Sequence, residues 1–169
     1  ASLKAGIRYA HKKSYNIKGF ITVDSDGQHS AEDVIKVAHA MNLRPDTLVL
    51  GKRDMRKAST PFRIRLGNKI SSAYFKVITG VSCKDTQTGL RGIPNSLYEL
   101  AISTKGNRFD YDMNFLTKCA DKKIPIYNIS ITADYSENKN SDYRIIRDSY
   151  RIYATPLRFA TASIGCALI

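Results

Sequence analysis

Asp24 and Asp26 stand one residue apart where an apolar run stops, in GFITVDSDGQHS at residues 19–30. Gly27, Gln28 and His29 follow directly. Three chemistries compete for carboxylates placed this way. A solvated turn is the plainest, because Asp, Ser and Gly are common loop residues. It accounts for each residue singly, but not for a pair at a strand's end with Gln28 and His29 behind it. An EF-hand calcium loop wants Gly at its sixth position and Glu at its twelfth, where this chain has His29 and Ile35. It also wants a helix in front, and GFITV reads as a strand. A magnesium or manganese ion shared with a phosphorylated ligand fits best. Such an ion takes one or two carboxylates and fills its shell with phosphate oxygens and water.

Two further segments suit that chemistry. Lys52, Arg53, Arg56, Lys57, Arg63, Arg65 and Lys69 crowd one loop and the helix after it, opposed by Asp54 alone. A run of bases is usually a solvated face. This one follows a strand end, so it can line the same cleft and bind a diphosphate. DTQTGLRG then puts Asp85, Gly89, Arg91 and Gly92 in one tight segment. The glycines let backbone approach a ligand closely and Arg91 can hold an anion, although a plain turn explains the segment equally well. His29 is expected to bond locally, and His39, mid-helix, to be packed or exposed.

The elements that must position these residues alternate along the chain. ASLKAGIRYAHKKS has a helical pattern and GFITV suits a buried strand. Ser30 with Asp33 resembles a capping box opening the helix AEDVIKVAHAM. DTLVLG is a second strand, and FRIRLGNKISSAYFKVITG a helix closed by Gly80. TGLRGIP is a turn or short strand, NSLYELAIS a short helix, FDYDMNFLTKCADKK a longer one, and IPIYNISIT a last strand. This order predicts an α/β fold, a mostly parallel sheet flanked by helices. Ligands of such sheets bind beyond the carboxyl ends of strands, where Asp24 and Asp26 stand.

With 169 residues, 43% hydrophobic and 25% charged, the chain suits one globular domain and excludes disorder. A net charge of +12 and a pI near 9.7 call for an anionic partner: nucleic acid, a membrane surface or a phosphorylated substrate. No RRM, KH, zinc-finger or helix-turn-helix signature is present and Trp is absent, which argues against a nucleic-acid module. Three scattered cysteines, Cys83, Cys119 and Cys166, fit a reducing compartment.

Taken in order, VDSDGQH, GKR, RLGN, DTQTGLRGIP, FDYDMNFL and IPIYNISI resemble glycosyltransferase family 2 over residues 1 to about 153. The closest branch looks like the dolichol-phosphate mannosyltransferase and undecaprenyl-phosphate glycosyltransferase group. The resemblance implies a GT-A-like (Rossmann-like) fold, a nucleotide-sugar donor and, in this branch, a polyprenyl phosphate acceptor. An acceptor that is a soluble or polymeric saccharide is the alternative within the family. It also implies that Asp24, Asp26 and Gln28 hold Mg²⁺ or Mn²⁺, and that Arg53, with Arg63 or Arg65 from the next helix, binds phosphates. Asp85 lies near the reacting sugar by the same comparison, with Arg91 and Gly89 in the same catalytic segment. Where relatives usually carry Glu in the helix FDYDM, this chain has Asp112. Relatives begin with a strand and turn, Pro-x-x-Asn-Glu, that seats the nucleobase. Residues 1–18 do not supply it, so a fragment lacking the first nucleotide-binding strand is expected.

The expected division is a partial catalytic domain at 1–140, a basic-aromatic juxtamembrane helix at 141–158, and the start of a transmembrane helix at 159–169. Arg144, Arg147 and Arg151 share one helical stripe, and Tyr143, Ile146, Tyr150 and Tyr153 the next. Such a helix suits an anionic headgroup layer. The expected location is the cytoplasmic face of the membrane.

Overall fold

GFIT forms strand β1 (Gly19–Thr22) in the computed structural model, which describes residues 2–13, 16–56, 60–106 and 109–133. The expected segments 141–158 and 159–169, like Lys57, lie outside the described residues. The other strands are β2 (Leu48–Arg53), β3 (Arg91–Pro94) and β4 (Ile126–Ile131), in the sheet order β1-β3-β2-β4. β2 and β4 pair in parallel, whereas β3 runs antiparallel to both β1 and β2. The expectation of a mostly parallel sheet is therefore corrected. Three strands share a direction, but one reversed strand between them makes two of the three pairings antiparallel. The reversed strand comes from the TGLRGIP segment, which enters the sheet from the loop that follows the helix Phe62–Thr79.

Side-chain alternation along β2 sorts the core into two layers. Leu48 and Leu50 face one side, with Phe75, Phe115, Leu116 and Ile93. Val49 faces the other, with Val37, Ala40, Met41, Leu90 and Ile131. Helix α2 (Ala31–Leu43) supplies that second layer. Helices α1 (Ser2–Lys13), α3 (Phe62–Thr79), α4 (Tyr98–Ser103) and α5 (Phe109–Asp121) contribute to the first. A 3-10 turn, Asn95–Leu97, leads from β3 into α4.

The helix boundaries follow their local chemistry. Ser30 caps α2 by accepting from the Asp33 N–H, half of a capping box. Asp33 does not return the bond. Its buried carboxylate accepts instead from the Thr132 N–H at 2.8 Å and from Lys36 at 2.9 Å, tying the end of β4 to the first turn of α2. α3 ends at Gly80, whose φ of 71° is the left-handed value that favours glycine. His39 is exposed on α2.

Candidate functional site

The strand directions put one end of the sheet in charge of the chemistry. β1, β2 and β4 finish there, and the reversed β3 begins there, with Arg91 in register with both Thr22 and Leu50. The loop before β3 therefore lands on the loop after β1. Thr22 Oγ1 donates to the Gly89 carbonyl at 2.9 Å. The Asp24 carboxylate lies where a side chain of residue 89 would have to be. Glycine at 89 is thus required by packing, and the two motifs singled out in sequence meet through it.

Asp26 lies on the exposed part of the same loop, which turns at Gly27 with φ 79°. The Gln28 N–H donates to Asp26 Oδ1 at 3.2 Å and its side-chain amide donates to Oδ2 at 2.7 Å. These bonds order the carboxylate at the mouth of the site. Oxygen donors from Asp24, Asp26 and the Gln28 amide suit a hard divalent cation. Among the described residues no group of three His, Cys, Asp or Glu side chains forms a closed metal cage. An ion that takes most of its shell from phosphate and water does not need one, so the donor set fits such a group.

Behind this mouth the charges are paired. Arg53, at the end of β2, makes a two-pronged bond to buried Asp85, Nε to Oδ2 at 2.8 Å and Nη2 to Oδ1 at 2.9 Å. The Arg53 N–H adds a third bond to Oδ2 at 3.2 Å. Asp85 is further fixed by the Gln87 N–H at 3.3 Å. Arg91 is 2% exposed, and its guanidinium donates to the carbonyls of Thr86, Thr88 and Asp112. Its Nη1 also lies 3.2 Å from the Asp112 carboxylate. A ligand anion would have to displace those carbonyls, so in this arrangement Arg91 holds the loop in shape. Burial pushes the Asp112 carboxyl above the ordinary carboxylate range; Arg91 opposes the shift, and Asp24 and Asp110 add to it.

Asp24, Asp26, Gln28, Arg53, Asp85, Gly89, Arg91 and Asp112 are thus gathered at one end of the sheet. Arg63 and Arg65 are not among them. Both are exposed on α3, and no ion pair joins either to an acid among the described residues. What α3 gives the site is its inner face. Asn68 donates to the Lys84 carbonyl at 2.9 Å and accepts from the Thr86 N–H, while the Ser71 and Thr86 hydroxyls bond at 2.6 Å. These scaffold residues were not singled out from sequence, where Asn68 and Ser71 are two polar positions in a helical run. Spacing offered a faint signal, since Asn68, Ser71 and Phe75 share one helix face.

His29 also departs from expectation. Its backbone bridges Ala133, far along the chain, and its ring Nδ1 is buried without a hydrogen-bond partner. Burial lowers its pKa; Asp24, Asp26 and Asp33 pull it upward, and Arg53 adds to the lowering. The ring therefore shares the surroundings of the aspartates. A cleft of about 300 Å³ lined by Lys18, Met41, Asp46 and Pro94 lies at the opposite end of the strands, away from this chemistry.

Comparison with known proteins gives the site its context. The chain is 27% identical over 127 residues to an uncharacterized protein of Methanocaldococcus jannaschii, covering 73% of this chain and 52% of that protein. It is 27% identical over 127 residues to an undecaprenyl-phosphate mannosyltransferase of Micrococcus luteus, covering 71% and 51%. Over 132 residues it is 27% identical to a UDP-N-acetylglucosamine–dolichyl-phosphate N-acetylglucosaminyltransferase of Methanococcus voltae, covering 75% and 53%. The chain spans about half the length of these curated relatives. No family model matches it, and no solved structure matches it significantly. The two names that state an activity are consistent with glycosyltransferase family 2 and support a transferase acting on a sugar donor.

Proposed function

We propose that this protein transfers a sugar from a nucleotide-sugar donor to a polyprenyl phosphate, using Mg²⁺ or Mn²⁺. The observation that carries the proposal is the meeting of Asp24 with Gly89, which joins the Asp-x-Asp loop to the DTQTGLRG loop at the ends of the strands. Two of the relatives, named as polyprenyl-phosphate glycosyltransferases, support the choice of acceptor.

A phosphate monoester has a second pKa near 6, so the acceptor is already nucleophilic at neutral pH. Its oxygen attacks the anomeric carbon as the bond to the nucleoside diphosphate breaks, and the diphosphate leaves with the electron pair. Alignment and charge neutralisation then matter more than a strong general base. The pairing of Asp85 with Arg53 suits that division of labour, because three Arg53 donors occupy the carboxylate oxygens. Asp24, Asp26 and Gln28 would hold the cation, which when bound offsets the charge of the departing diphosphate. Gly89 leaves room for the Asp24 carboxylate to pack against the second loop. A lipid acceptor puts the reaction at a membrane surface, and the cytoplasmic face suits the free, buried thiols of Cys83 and Cys119.

Titration calorimetry with UDP and GDP, in Mn²⁺ and then with chelator, tests the metal and donor together. Binding is expected to need the cation and to weaken at least about tenfold, or 1.4 kcal/mol, in Asp26→Ala. Asp26 is exposed, so the variant should melt with the parent. Nucleotide affinity that ignores both chelator and substitution would refute the proposal.

A further inference from the structure

Helix α3 carries apolar side chains on its outer face as well as in the core. The face it turns inward carries Asn68, Ser71 and Phe75. The face it turns outward carries Phe62, Leu66, Ile70, Ala73 and Val77, a continuous stripe at three- and four-residue spacing. Phe62 is 68% exposed and Val77 84%. A helix on a water-facing surface normally turns polar side chains outward.

Charge says what the stripe is for. Arg63, Arg65, Lys69 and Lys76 border it, all exposed, and the eighteen residues of α3 contain no acid. None of the four bases has an acidic partner among the described residues. An apolar stripe edged by bases is the pattern of a helix lying in the plane of a bilayer interface, apolar side among the upper acyl chains and bases among anionic headgroups. A protein partner would need a matching acidic, apolar groove, whereas an anionic bilayer supplies both features along a helix about 27 Å long. Among the described residues no helix is long and apolar enough to cross a membrane, so α3 would lie on the surface.

We infer that the outer face of α3 is a membrane-docking surface whose occupant is an anionic bilayer; the choice of occupant rests in part on the lipid-acceptor reading above. The inner face gives the docking a consequence. Asn68 and Ser71 hold Lys84 and Thr86, which flank Asp85, and the Gln87 side chain lies against Gly67. The helix that rests on the membrane is thus the one that shapes the loop meeting Asp24. Arg63 and Arg65, one or other of which was expected from sequence to bind phosphates, would meet lipid phosphate at headgroup level.

The chain contains no tryptophan, so Ile70→Trp places a single fluorophore in the stripe. Its emission should shift to the blue with vesicles of phosphatidylcholine and phosphatidylserine, and be quenched by brominated acyl chains. Pure phosphatidylcholine should give little shift. Leu66→Glu with Ile70→Glu should abolish the affinity that depends on α3, and each base replaced by Gln should lower it about fivefold. Circular dichroism checks folding in each variant. A tryptophan that stays in water while the chain binds vesicles overturns the inference, because another segment then makes the contact. A tryptophan already blue-shifted without lipid, in a chain that sediments as a dimer, overturns it in favour of a second copy. These readouts need no nucleotide. Vesicle docking with no nucleotide binding would leave the inference standing and refute the transferase reading.

Discussion

Arg53 and Arg65 come from one basic segment of sequence, and the fold treats them in opposite ways. Arg53 ends a strand and is clamped on Asp85 by three bonds. Arg65 sits on the outer surface of α3 beside apolar side chains, without an acidic partner among the described residues. At the strand ends, charge is used to fix shape: Arg91 spends its donors on three carbonyls, and Asp85 is saturated by Arg53 and Gln87. Along α3, the bases are exposed and have no acidic partner among the described residues. A basic run is therefore not one functional unit. Where each base meets the sheet decides whether it positions the site or faces a partner.

The largest effect should come from breaking the inner region. Arg91→Met removes the donors to Thr86, Thr88 and Asp112 and leaves buried carbonyls unsatisfied. Each buried carbonyl left without its donor costs about 1–3 kcal/mol, so the urea midpoint should fall sharply. A variant as stable as the parent would mean that Arg91 does not hold the loop, and would return it to ligand binding.

Asp85→Asn is next. It keeps the shape of the side chain but leaves the Arg53 guanidinium facing a neutral amide, at a cost of about 1.5–3 kcal/mol by chemical unfolding. Unchanged stability would show that solvent or a ligand already compensates Arg53.

How much of this contrast was legible in sequence can be judged residue by residue. The apolar run of the second strand and the cap at Ser30 were readable because they obey local rules; α2 forms behind its cap, and β2 forms on that run and continues to Arg53. The Asp24–Asp26 pair was readable as a strand-end cluster, and so was the glycine whose place beside Asp24 makes the loops meet. The direction of β3 was not readable. A four-residue strand carries no mark of which way it enters a sheet, and that choice is made by long-range packing. The partners of Arg53 and Arg91 were hidden for the same reason, since a guanidinium suits a carboxylate, a carbonyl or a phosphate equally well. α3 misled in a different way. Its periodicity was plain, but periodicity names a face without saying whether that face points inward.

A smaller effect concerns pH. The Asp112 carboxyl holds its proton to higher pH in the folded chain than when unfolded, because burial disfavours its charge. The folded state therefore binds more protons in that window, and stability falls as pH rises from the unfolded carboxylate range through the folded value. Asp112→Asn should flatten this slope in metal-free unfolding curves. A parallel slope in both proteins would assign the dependence to another group.

The smallest stability effect belongs to the outer region. Arg65→Gln should change the unfolding free energy by no more than about 0.5 kcal/mol, as an exposed side chain without a partner does. A larger loss would place Arg65 in the inner region after all.

The central claim is that the loops joined at Gly89 pass a sugar from nucleotide to lipid phosphate. Its most direct test incubates the protein with labelled nucleotide-sugars, Mn²⁺ and a polyprenyl phosphate, and counts label extracted into organic solvent. The account predicts transfer from at least one donor, lost with chelator and in Asp24→Asn, and absent when free polyprenol replaces the phosphate. Label that appears equally in Asp24→Asn, or passes to polyprenol as readily as to its phosphate, would contradict it.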